Sequence, residues 1–318
     1  MFHWKRIINP FFRKKFPFKF VYSSDYWMLD LEGHIFPVEK YRLIYEALLQ
    51  MKAKKKDFIS PELALEEDVF RVHSERYVKK LKTGRLSNSE MLALELPYAP
   101  EMMGFALRYV GGTVTAAYRA LEDKLSVHIG GGFHHAFSDH GEGFCILNDV
   151  AVALEKLKHE GRIQRAIVVD CDVHQGNGTA AILSRKEYAF LFSIHQMDLY
   201  PAHKPESSLD IGLWSGDGDE KYLSALQSHF PRLYDDFQPD LIFYLAGADP
   251  FENDQLGGLQ LTLDGLMQRD RIIIGEAKKR DLPIIVLLAG GYAFDVRDTV
   301  SIHLNTIKVS IQEQRKHP

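Results

Sequence analysis

The segment DCDVH at residues 170–174 places two carboxylates and an imidazole at alternate positions directly after an apolar stretch. Because side chains alternate between the two faces of an extended chain, Asp170, Asp172 and His174 are predicted to share one face. The side chains of the two intervening residues are predicted to point into the packed interior of the protein. Asp249 follows another apolar stretch and completes an Asp-His-Asp set with Asp172 and His174. Three protein ligands and an open position for water are typical of a catalytic zinc site, so the pattern predicts a metal-activated water.

Two adjacent histidines and a tyrosine supply groups suited to proton transfer and oxyanion stabilisation. His134 and His135 follow three glycines, which let the backbone bend so that both imidazoles face one pocket. Histidine carries protons near neutral pH. Tyr292 follows two glycines, and its hydroxyl can donate to a developing oxyanion. The Asp170 side chain is expected to lie one position further inside the protein than Asp172, where it hydrogen-bonds a histidine or binds a second cation.

Each of these residues alone has an ordinary structural explanation. Asp249 would be a helix N-cap or a turn residue, His174 a hydrogen-bonded core histidine, and Tyr292 a packing residue. The metal and catalytic interpretation depends on their combination at the ends of several apolar stretches.

Short apolar stretches that alternate with helical patterns must position these residues. Five are predicted as strands, at 126–129, 166–169, 189–194, 241–245 and 284–288. Helices are predicted at 150–159, 179–183, 222–234 and 264–280 and over the C-terminal stretch. This alternation indicates βαβ units and a buried parallel sheet. Ligands of such sheets bind at the carboxyl ends of the strands, so the polar residues that follow four of these strands are expected at one edge.

The N-terminal third carries weaker patterns. They predict a strand at 18–23, a helix at 40–49, a helical stretch that opens near Pro61 and continues to Leu81, a loop at 84–89 and a long helix at 105–121. Two glycines at 111–112 interrupt the long helix, where another backbone is expected to approach closely. No repeat or linker divides the sequence, so we expect one domain over 1–318.

Composition excludes some classes of protein. The 318 residues carry a formal net charge of −4, which argues against direct nucleic-acid binding, since such domains are usually basic. Cys145 and Cys171 are too few for a disulfide framework and indicate a reducing compartment. Because no stretch approaches the ~20 apolar residues of a membrane helix, we expect a cytoplasmic protein without a transmembrane segment.

The N-terminal residues 1–17 form a basic, aromatic arm. The arm lacks the continuous apolar core of a secretory signal. We expect it to pack on the domain surface, with a membrane or partner contact as the alternative, and the oligomeric state stays open.

Six motifs together resemble the histone deacetylase superfamily over about residues 20–305. They are GGGFHHA (130–136), GEGFCILND (141–149), VVDCDVHQGNG (168–178), AGADP (246–250), DQLGGLQLT (254–262) and LLAGGYAFD (287–295). The resemblance implies an arginase-like α/β fold, in which a mostly parallel central sheet lies between helical layers. It also implies zinc-dependent hydrolysis of acyl groups from amino nitrogens.

The resemblance implies roles by position for the metal site and the catalytic groups. Asp172, His174 and Asp249 look like the ligands of one Zn²⁺ per chain. The histidine pair at 134–135 looks like the family's tandem histidines, and Tyr292 like the tyrosine that polarises the scissile carbonyl.

Further positions resemble the substrate tunnel and a cation site. Gly143 and Phe144 resemble one wall of the acyl-lysine tunnel, and Tyr200 stands where the opposite aromatic wall lies. Glu95 resembles the rim carboxylate that holds the substrate backbone. Asp170, with the backbone of Ser193, resembles the family's potassium site beside the zinc.

Position 177 departs from class I members, which carry an aspartate paired with the second histidine. Asn177 resembles class II and class IV members instead. A neutral partner raises the pKa of His135 less than a carboxylate would, so the division of proton transfer between His134 and His135 stays open. GGGFHH, VHQGNG and LGGL most resemble class IV and its bacterial relatives, and class IV members remove long fatty acyl chains as well as acetyl groups.

The expected substrate is an acylated lysine peptide, and three alternatives stay open. One is a deacylase of small acylated amines such as acetylpolyamines, or of acetoin-pathway metabolites. Another is a two-metal ureohydrolase on the same fold, which needs more carboxylates around the metal pair than the sequence offers. The third is a non-catalytic binding module, which is disfavoured because every expected catalytic residue is present.

Overall fold

The computed structural model describes residues 16–27, 29, 31 and 33–316. Positions 1–15 of the predicted basic arm lie outside the described residues, so its packing stays a prediction. At the start of the described chain, Phe16 is buried with its ring centroid 5.3 Å from that of Phe20.

Within these described ranges, eight strands form one sheet in which every neighbouring pair is parallel. They are β1 (Phe20–Val21), β2 (Phe58–Ile59), β3 (Leu125–His128), β4 (Ala166–Asp170), β5 (Ala189–Gln196), β6 (Leu209–Leu213), β7 (Leu241–Leu245) and β8 (Ile284–Leu287). Their order across the sheet is β2-β1-β3-β8-β7-β4-β5-β6. The four central strands β3, β8, β7 and β4 are buried along their whole length, because a parallel sheet is covered by helices on both faces.

In the part of the chain that the structure describes, ten α-helices cover the sheet. They are α1 (Glu39–Gln50), α2 (Glu66–Val69), α3 (Glu75–Thr83), α4 (Asn88–Leu94), α5 (Met102–Asp123), α6 (Asp149–His159), α7 (Asn177–Leu183), α8 (Asp219–Phe237), α9 (Leu263–Lys279) and α10 (Val296–Lys316). Helices α1, α8, α9 and α10 pack against one another, and α2, α5, α6 and α7 form a second packed group. Among the described residues, no helix is both long and apolar enough to cross a bilayer.

The five strands predicted from the apolar stretches are present, with ends that differ by at most two residues. Strands β2 and β6 were not predicted. Strand β6 pairs with β5 alone and alternates between partly buried and exposed residues until Leu213. It also contains Asp210 and Gly212, which are depleted in strands, so this edge strand leaves little pattern in the sequence.

The predicted helical stretch from Pro61 to Leu81 is wrong as one element. The chain forms the short helix α2, leaves it after Val69 and begins α3 at Glu75. Ser74 starts the second helix, because its hydroxyl accepts a hydrogen bond from the backbone N–H of Tyr77 at 3.3 Å and caps the new N-terminus.

Two further boundaries differ from the prediction. The first strand is limited to Phe20–Val21 instead of 18–23. The predicted loop at 84–89 ends early, because Ser87 and Glu90 form a reciprocal capping box that begins α4 at Asn88.

The long helix α5 is continuous through Gly111 and Gly112, so the predicted interruption is wrong. The predicted close approach of another backbone is present. A Cβ atom at Gly111 would lie 1.9 Å from the carbonyl oxygen of Glu62. Glycine at this position lets the Glu62 backbone pack directly against the helix. It is about 1 kcal/mol less favourable than alanine for helix formation.

We expect Gly111→Ala to lower the free energy of unfolding by roughly 1–3 kcal/mol, because the new methyl group forces the Glu62 backbone to move. Gly104 in the same helix is exposed, and a Cβ atom at this position would meet nothing within 4 Å. Gly104→Ala is therefore the matched control and should stabilise by about 0.5–1 kcal/mol. Urea denaturation of both variants measures the difference, and equal effects would contradict the packing explanation.

Candidate active site

The polar residues singled out in the sequence meet at one edge of the sheet. Strands β3, β8, β7 and β4 are consecutive neighbours, and their carboxyl ends lead into the segments that carry these residues. Asp172 and His174 follow the end of β4, and Asp249 follows the end of β7. Because β4 and β7 pair directly, with Asp170 opposite Leu245, the two segments start side by side.

Asp172, His174 and Asp249 form a buried cluster whose ligand atoms all lie within 4.8 Å of one another. His174 Nδ1 is 3.1 Å from Asp172 Oδ1 and 3.7 Å from Asp249 Oδ2. Asp249 Oδ1 accepts a hydrogen bond from the Val173 backbone N–H at 2.9 Å. Asp249 Oδ2 is buried without a hydrogen-bond partner among the described residues. An unpaired buried acceptor is costly, and a metal ion would satisfy it.

The charges of the cluster also suit a cation. Burial and the neighbouring Asp172 raise the pKa of Asp249 to about 7. Burial alone would lower the pKa of His174, but the hydrogen bond with Asp172 and the nearby Asp249 carboxylate raise it to about 10. Two buried carboxylates therefore draw positive charge into the cluster. The donor set fits a divalent metal with mixed nitrogen and oxygen ligands.

The tandem histidines have different partners. His134 Nδ1 lies 2.7 Å from Asp170 Oδ2, and His135 Nδ1 lies 2.7 Å from Asn177 Oδ1. Burial opposes charge on both rings, but the Asp170 carboxylate raises the pKa of His134 to about 9. Burial and the neighbouring His134 hold the pKa of His135 well below its ordinary value. The two Nε2 atoms are 3.1 Å apart, so the pair is arranged to pass a proton.

A cavity of about 420 Å³ leads to the cluster. Its lining includes most residues predicted for the site, namely Glu95, His134, His135, Gly143, Phe144, Asp172, His174, Tyr200 and Tyr292. The Tyr200 ring lies 5.1 Å from that of His135, and the Phe144 ring 5.9 Å from that of Tyr292. A Cβ at Gly143 would come within 2.8 Å of His135 and 2.9 Å of the Tyr200 hydroxyl. This position therefore requires glycine to keep the pocket open.

Tyr292 is held at the cavity by its backbone. Its N–H donates to Asp254 Oδ2 at 2.7 Å, and Asp254 Oδ1 accepts from the N–H groups of Leu256 and Gly257. Burial and the nearby carboxylates of Asp172 and Asp249 raise the pKa of Tyr292 well above its ordinary value. The hydroxyl therefore keeps its proton and can act as a hydrogen-bond donor.

Comparison with known proteins identifies the family. The histone deacetylase domain family matches residues 34–307. The chain belongs to the histone deacetylase family. This membership supports a deacetylase-type hydrolase, and the family is typically metal-dependent, which agrees with the buried Asp-His-Asp cluster.

Several relatives align over most of this histone deacetylase family member. It is 37% identical to an uncharacterized protein of Picosynechococcus sp., covering 90% of this chain and 96% of that protein. It is 29% identical to histone deacetylase 2 of Arabidopsis thaliana, covering 86% and 74%. It is 30% identical to a probable deacetylase of Methanothermobacter thermautotrophicus, covering 86% and 85%.

A solved structure confirms the predicted fold class. The crystal structure of the HDA15 HD domain superposes with a TM-score of 0.77, covering 93% of this chain and 89% of that domain at 20% identity. The arginase-like α/β fold with a parallel central sheet is therefore the fold of this deacetylase family member.

Sequence reasoning assigned no role to several residues that support the site. Lys40 is buried in α1, and its Nζ donates to the Ala289 carbonyl at 2.7 Å, beside the Tyr292 ring. Burial lowers the pKa of Lys40 to about 8. The sequence feature that could have indicated a buried lysine is the position of Lys40 on the apolar face of α1. Asp254 and Glu142 lie inside two of the family motifs, which gave no indication of their roles.

Arg269 supports the two backbone segments that carry the Asp-His-Asp cluster. The guanidinium is fully buried in α9 and donates to the Gly247 carbonyl at 2.6 Å and to the Cys171 carbonyl at 3.4 Å. It also pairs with Asp270 at 2.9 Å. Gly247 and Cys171 precede Asp249 and Asp172 in the chain, so one side chain holds the backbones that carry two of the clustered carboxylates.

We expect Arg269→Met to lower the free energy of unfolding by about 3–5 kcal/mol, because Asp270 then lacks its buried cationic partner. Affinity for a divalent metal should also fall about 10- to 100-fold, as supporting contacts around metal ligands typically contribute that much. Denaturant unfolding and metal titration measure the two effects. Exposed Arg271 in the same helix supplies the control Arg271→Ala, and a matching loss there would contradict the bracing role.

Proposed function

We propose that the protein is a zinc-dependent deacylase that hydrolyses N-acyl amides, with acyl-lysine in proteins as its substrate. The observation that carries this proposal is the buried cluster of Asp172, His174 and Asp249 at a cavity that also holds the histidine pair and Tyr292. Family membership supports the same reaction class.

The chain's own groups are placed for each proton step. Zinc, when bound by the three clustered ligands, supplies a Lewis acid that polarises the carbonyl and acidifies water. His135, whose partner is an amide, accepts a proton from the attacking water through Nε2 and then returns it to the amine nitrogen as the C–N bond breaks. His134, paired with the Asp170 carboxylate at 2.7 Å, keeps positive charge and orients His135. The Tyr292 hydroxyl donates to the carbonyl oxygen as negative charge develops there.

The residues that line the cavity define the path along which we propose that the substrate enters. Phe144 and Tyr200 line the cavity with Gly143, and we assign the acyl-amine stem to the space they border. Glu95 lies exposed among the lining residues, where its carboxylate can accept hydrogen bonds from a substrate backbone. Apolar walls with few polar groups suit the aliphatic part of an acylated lysine.

A potassium ion near Asp170 and Ser193 is a further part of the proposal. The two residues are register partners on β4 and β5, and both border a small cavity of about 10 Å³. Such a volume accommodates about one particle of the size of a water molecule. A cation there would border Asp170, the hydrogen-bond partner of His134.

The proposal is tested with protein stripped of metal by a chelator and assayed on fluorogenic acyl-lysine peptides. Activity should be lost on chelation and restored by one equivalent of Zn²⁺ per chain. A panel of acyl chains from acetyl to long fatty acyl groups then measures chain-length preference. Full activity of verified metal-free protein, or maximal activity that requires two Mn²⁺ per chain, would contradict the proposal.

A small acylated polyamine is the second candidate substrate, and the exposed Glu95 carboxylate at the cavity favours it. A distal ammonium group would pair with this carboxylate, whereas the acyl group would enter the same cavity. Comparing kcat/KM for N-acetylated diamines and for acetyl-lysine peptides separates the candidates. A preference for the diamines that Glu95→Gln abolishes would favour the polyamine, and a preference for peptides would favour acyl-lysine.

A further inference from the structure

Glu142 occupies a rigid position next to the cavity. Its N–H donates to the Cys145 carbonyl at 3.2 Å, and the Cys145 N–H donates back to the Glu142 carbonyl at 2.8 Å. Gly143 and Phe144 between them have φ angles of 50° and 67°, as in a tight turn with two left-handed central residues. The N–H groups of Gly143 and Phe144 also donate to the Ala93 and Leu94 carbonyls, so the turn is anchored to α4.

The Glu142 side chain connects two parts of the candidate active site. Its Oε1 atom accepts a hydrogen bond from Asn177 Nδ2 at 2.6 Å and another from the Tyr200 hydroxyl at 2.7 Å. On its other side, Oε2 lies 3.5 Å from His140 Nε2. One carboxylate oxygen therefore holds both the partner of His135 and an aromatic wall of the cavity.

These contacts determine the orientation of the Asn177 amide. The Gly178 N–H donates to Asn177 Oδ1 at 3.0 Å, and Glu142 accepts from the amide nitrogen, so oxygen and nitrogen cannot exchange places. Asn177 Oδ1 therefore faces His135 Nδ1 at 2.7 Å, and Nδ1 must carry the hydrogen. The lone pair of the neutral ring then lies on Nε2, the atom 3.1 Å from His134 Nε2.

We propose that Glu142 is a positioning residue that acts on His135 through Asn177. Its carboxylate polarises the amide, and hydrogen bonds in such a chain strengthen one another. Asn177 Oδ1 thereby becomes a stronger acceptor for His135 Nδ1–H than an isolated amide. Glu142 fixes the tautomer with Nε2 available as base and stabilises the imidazolium that forms. The catalytic part of this inference rests on the proposed function, whereas the hydrogen bonds from Glu142 to His135 do not depend on it.

Exchanging charge between the two positions tests the proposal. Glu142→Gln removes the carboxylate with little change in shape, and Asn177→Asp puts two carboxylates at the distance of the present 2.6 Å contact. Each single variant should lower kcat about 10- to 100-fold, a typical loss for a supporting hydrogen-bond partner. The double variant restores one carboxylate and one amide and should recover to within about threefold of wild type, because the two sites are coupled.

Two controls separate positioning from general damage. Glu187→Gln makes the same carboxylate-to-amide change at an exposed position outside the contacts of Glu142 and should leave kcat unchanged. Tyr200→Phe removes the other partner of Glu142 and should raise KM more than it lowers kcat. Additive losses in the Glu142/Asn177 pair, in variants whose melting temperatures match wild type, would overturn the positioning role.

A spectroscopic readout tests the inference without activity. Long-range ¹H–¹⁵N NMR spectra, assigned with a His135 variant, should show His135 as the neutral Nδ1–H tautomer in wild type. In Glu142→Ala a mixture of tautomers should appear. This result with an inactive wild type would contradict the proposed function and support the positioning role. An active wild type with unchanged His135 signals in Glu142→Ala would support the function and overturn the positioning role.

Discussion

His174→Ala is expected to abolish metal binding and to lower kcat/KM by at least about 10³-fold, since the Lewis-acid contribution of a catalytic metal is several kcal/mol. The imidazole supplies the nitrogen donor of the buried cluster, 3.1 Å from Asp172 Oδ1, and is its proposed nitrogen ligand. Without it, two carboxylates remain, and they repel one another in a buried site. Metal content measured by mass spectrometry, together with activity on acyl-lysine peptides, checks both parts of the expectation.

The control for this variant is His229→Ala. His229 is exposed on α8, away from the ligand-bearing segments, and its replacement should leave metal content and turnover unchanged. A His174→Ala protein that keeps one metal per chain and near wild-type turnover would show that the Asp-His-Asp cluster is not the catalytic metal site.

Tyr292→Phe should lower kcat by about 10² to 10³-fold, the usual cost of removing one oxyanion donor. Metal content should stay at the wild-type level, because the hydroxyl is not among the clustered ligands. KM should change little, since the lost interaction forms in the transition state. The aromatic ring remains in place against Phe144, so a structural loss is not expected.

Steady-state kinetics and metal analysis of the same preparation test this expectation. Tyr118→Phe is the matched control, because Tyr118 lies on α5 and its hydroxyl bonds the surface residue Glu160. Near wild-type kcat in Tyr292→Phe would contradict the proposed oxyanion role. Loss of metal in that variant would instead indicate that Tyr292 supports the cluster.

Together, the two variants distinguish loss of metal binding from loss of the oxyanion donor, which a single inactive variant could not do. His174→Ala removes the metal and therefore all chemistry that depends on it. Tyr292→Phe keeps the metal and removes one donor. If both lose activity but only the first loses metal, the cluster and the tyrosine have the separate roles that their positions suggest.

The sequence by itself determined five strands of the sheet, the edge at which the site forms and the family. Buried parallel strands are continuous apolar stretches, and their pattern is local, so β4, β5, β7 and β8 could be predicted. The spacing of Asp172 and His174 is also local, because two residues apart on an extended chain means one face. Asp249 could be added because β7 and β4 end at the same edge.

Tertiary structure alone decided which residues support those groups. Glu142 and Asn177 are 35 positions apart in the sequence, and Arg269 and Cys171 are 98 positions apart. Neither contact can therefore be predicted from the spacing of residues in the sequence. The edge strand β6 escaped prediction for a related reason, since its pairing with β5 outweighs weak local preferences. The break between α2 and α3 has a local signal, the N-cap Ser74, which the spacing of the apolar residues did not show. Local patterns set the elements and the ligand spacing, whereas hydrogen bonds between distant segments set the charge and orientation of the catalytic groups.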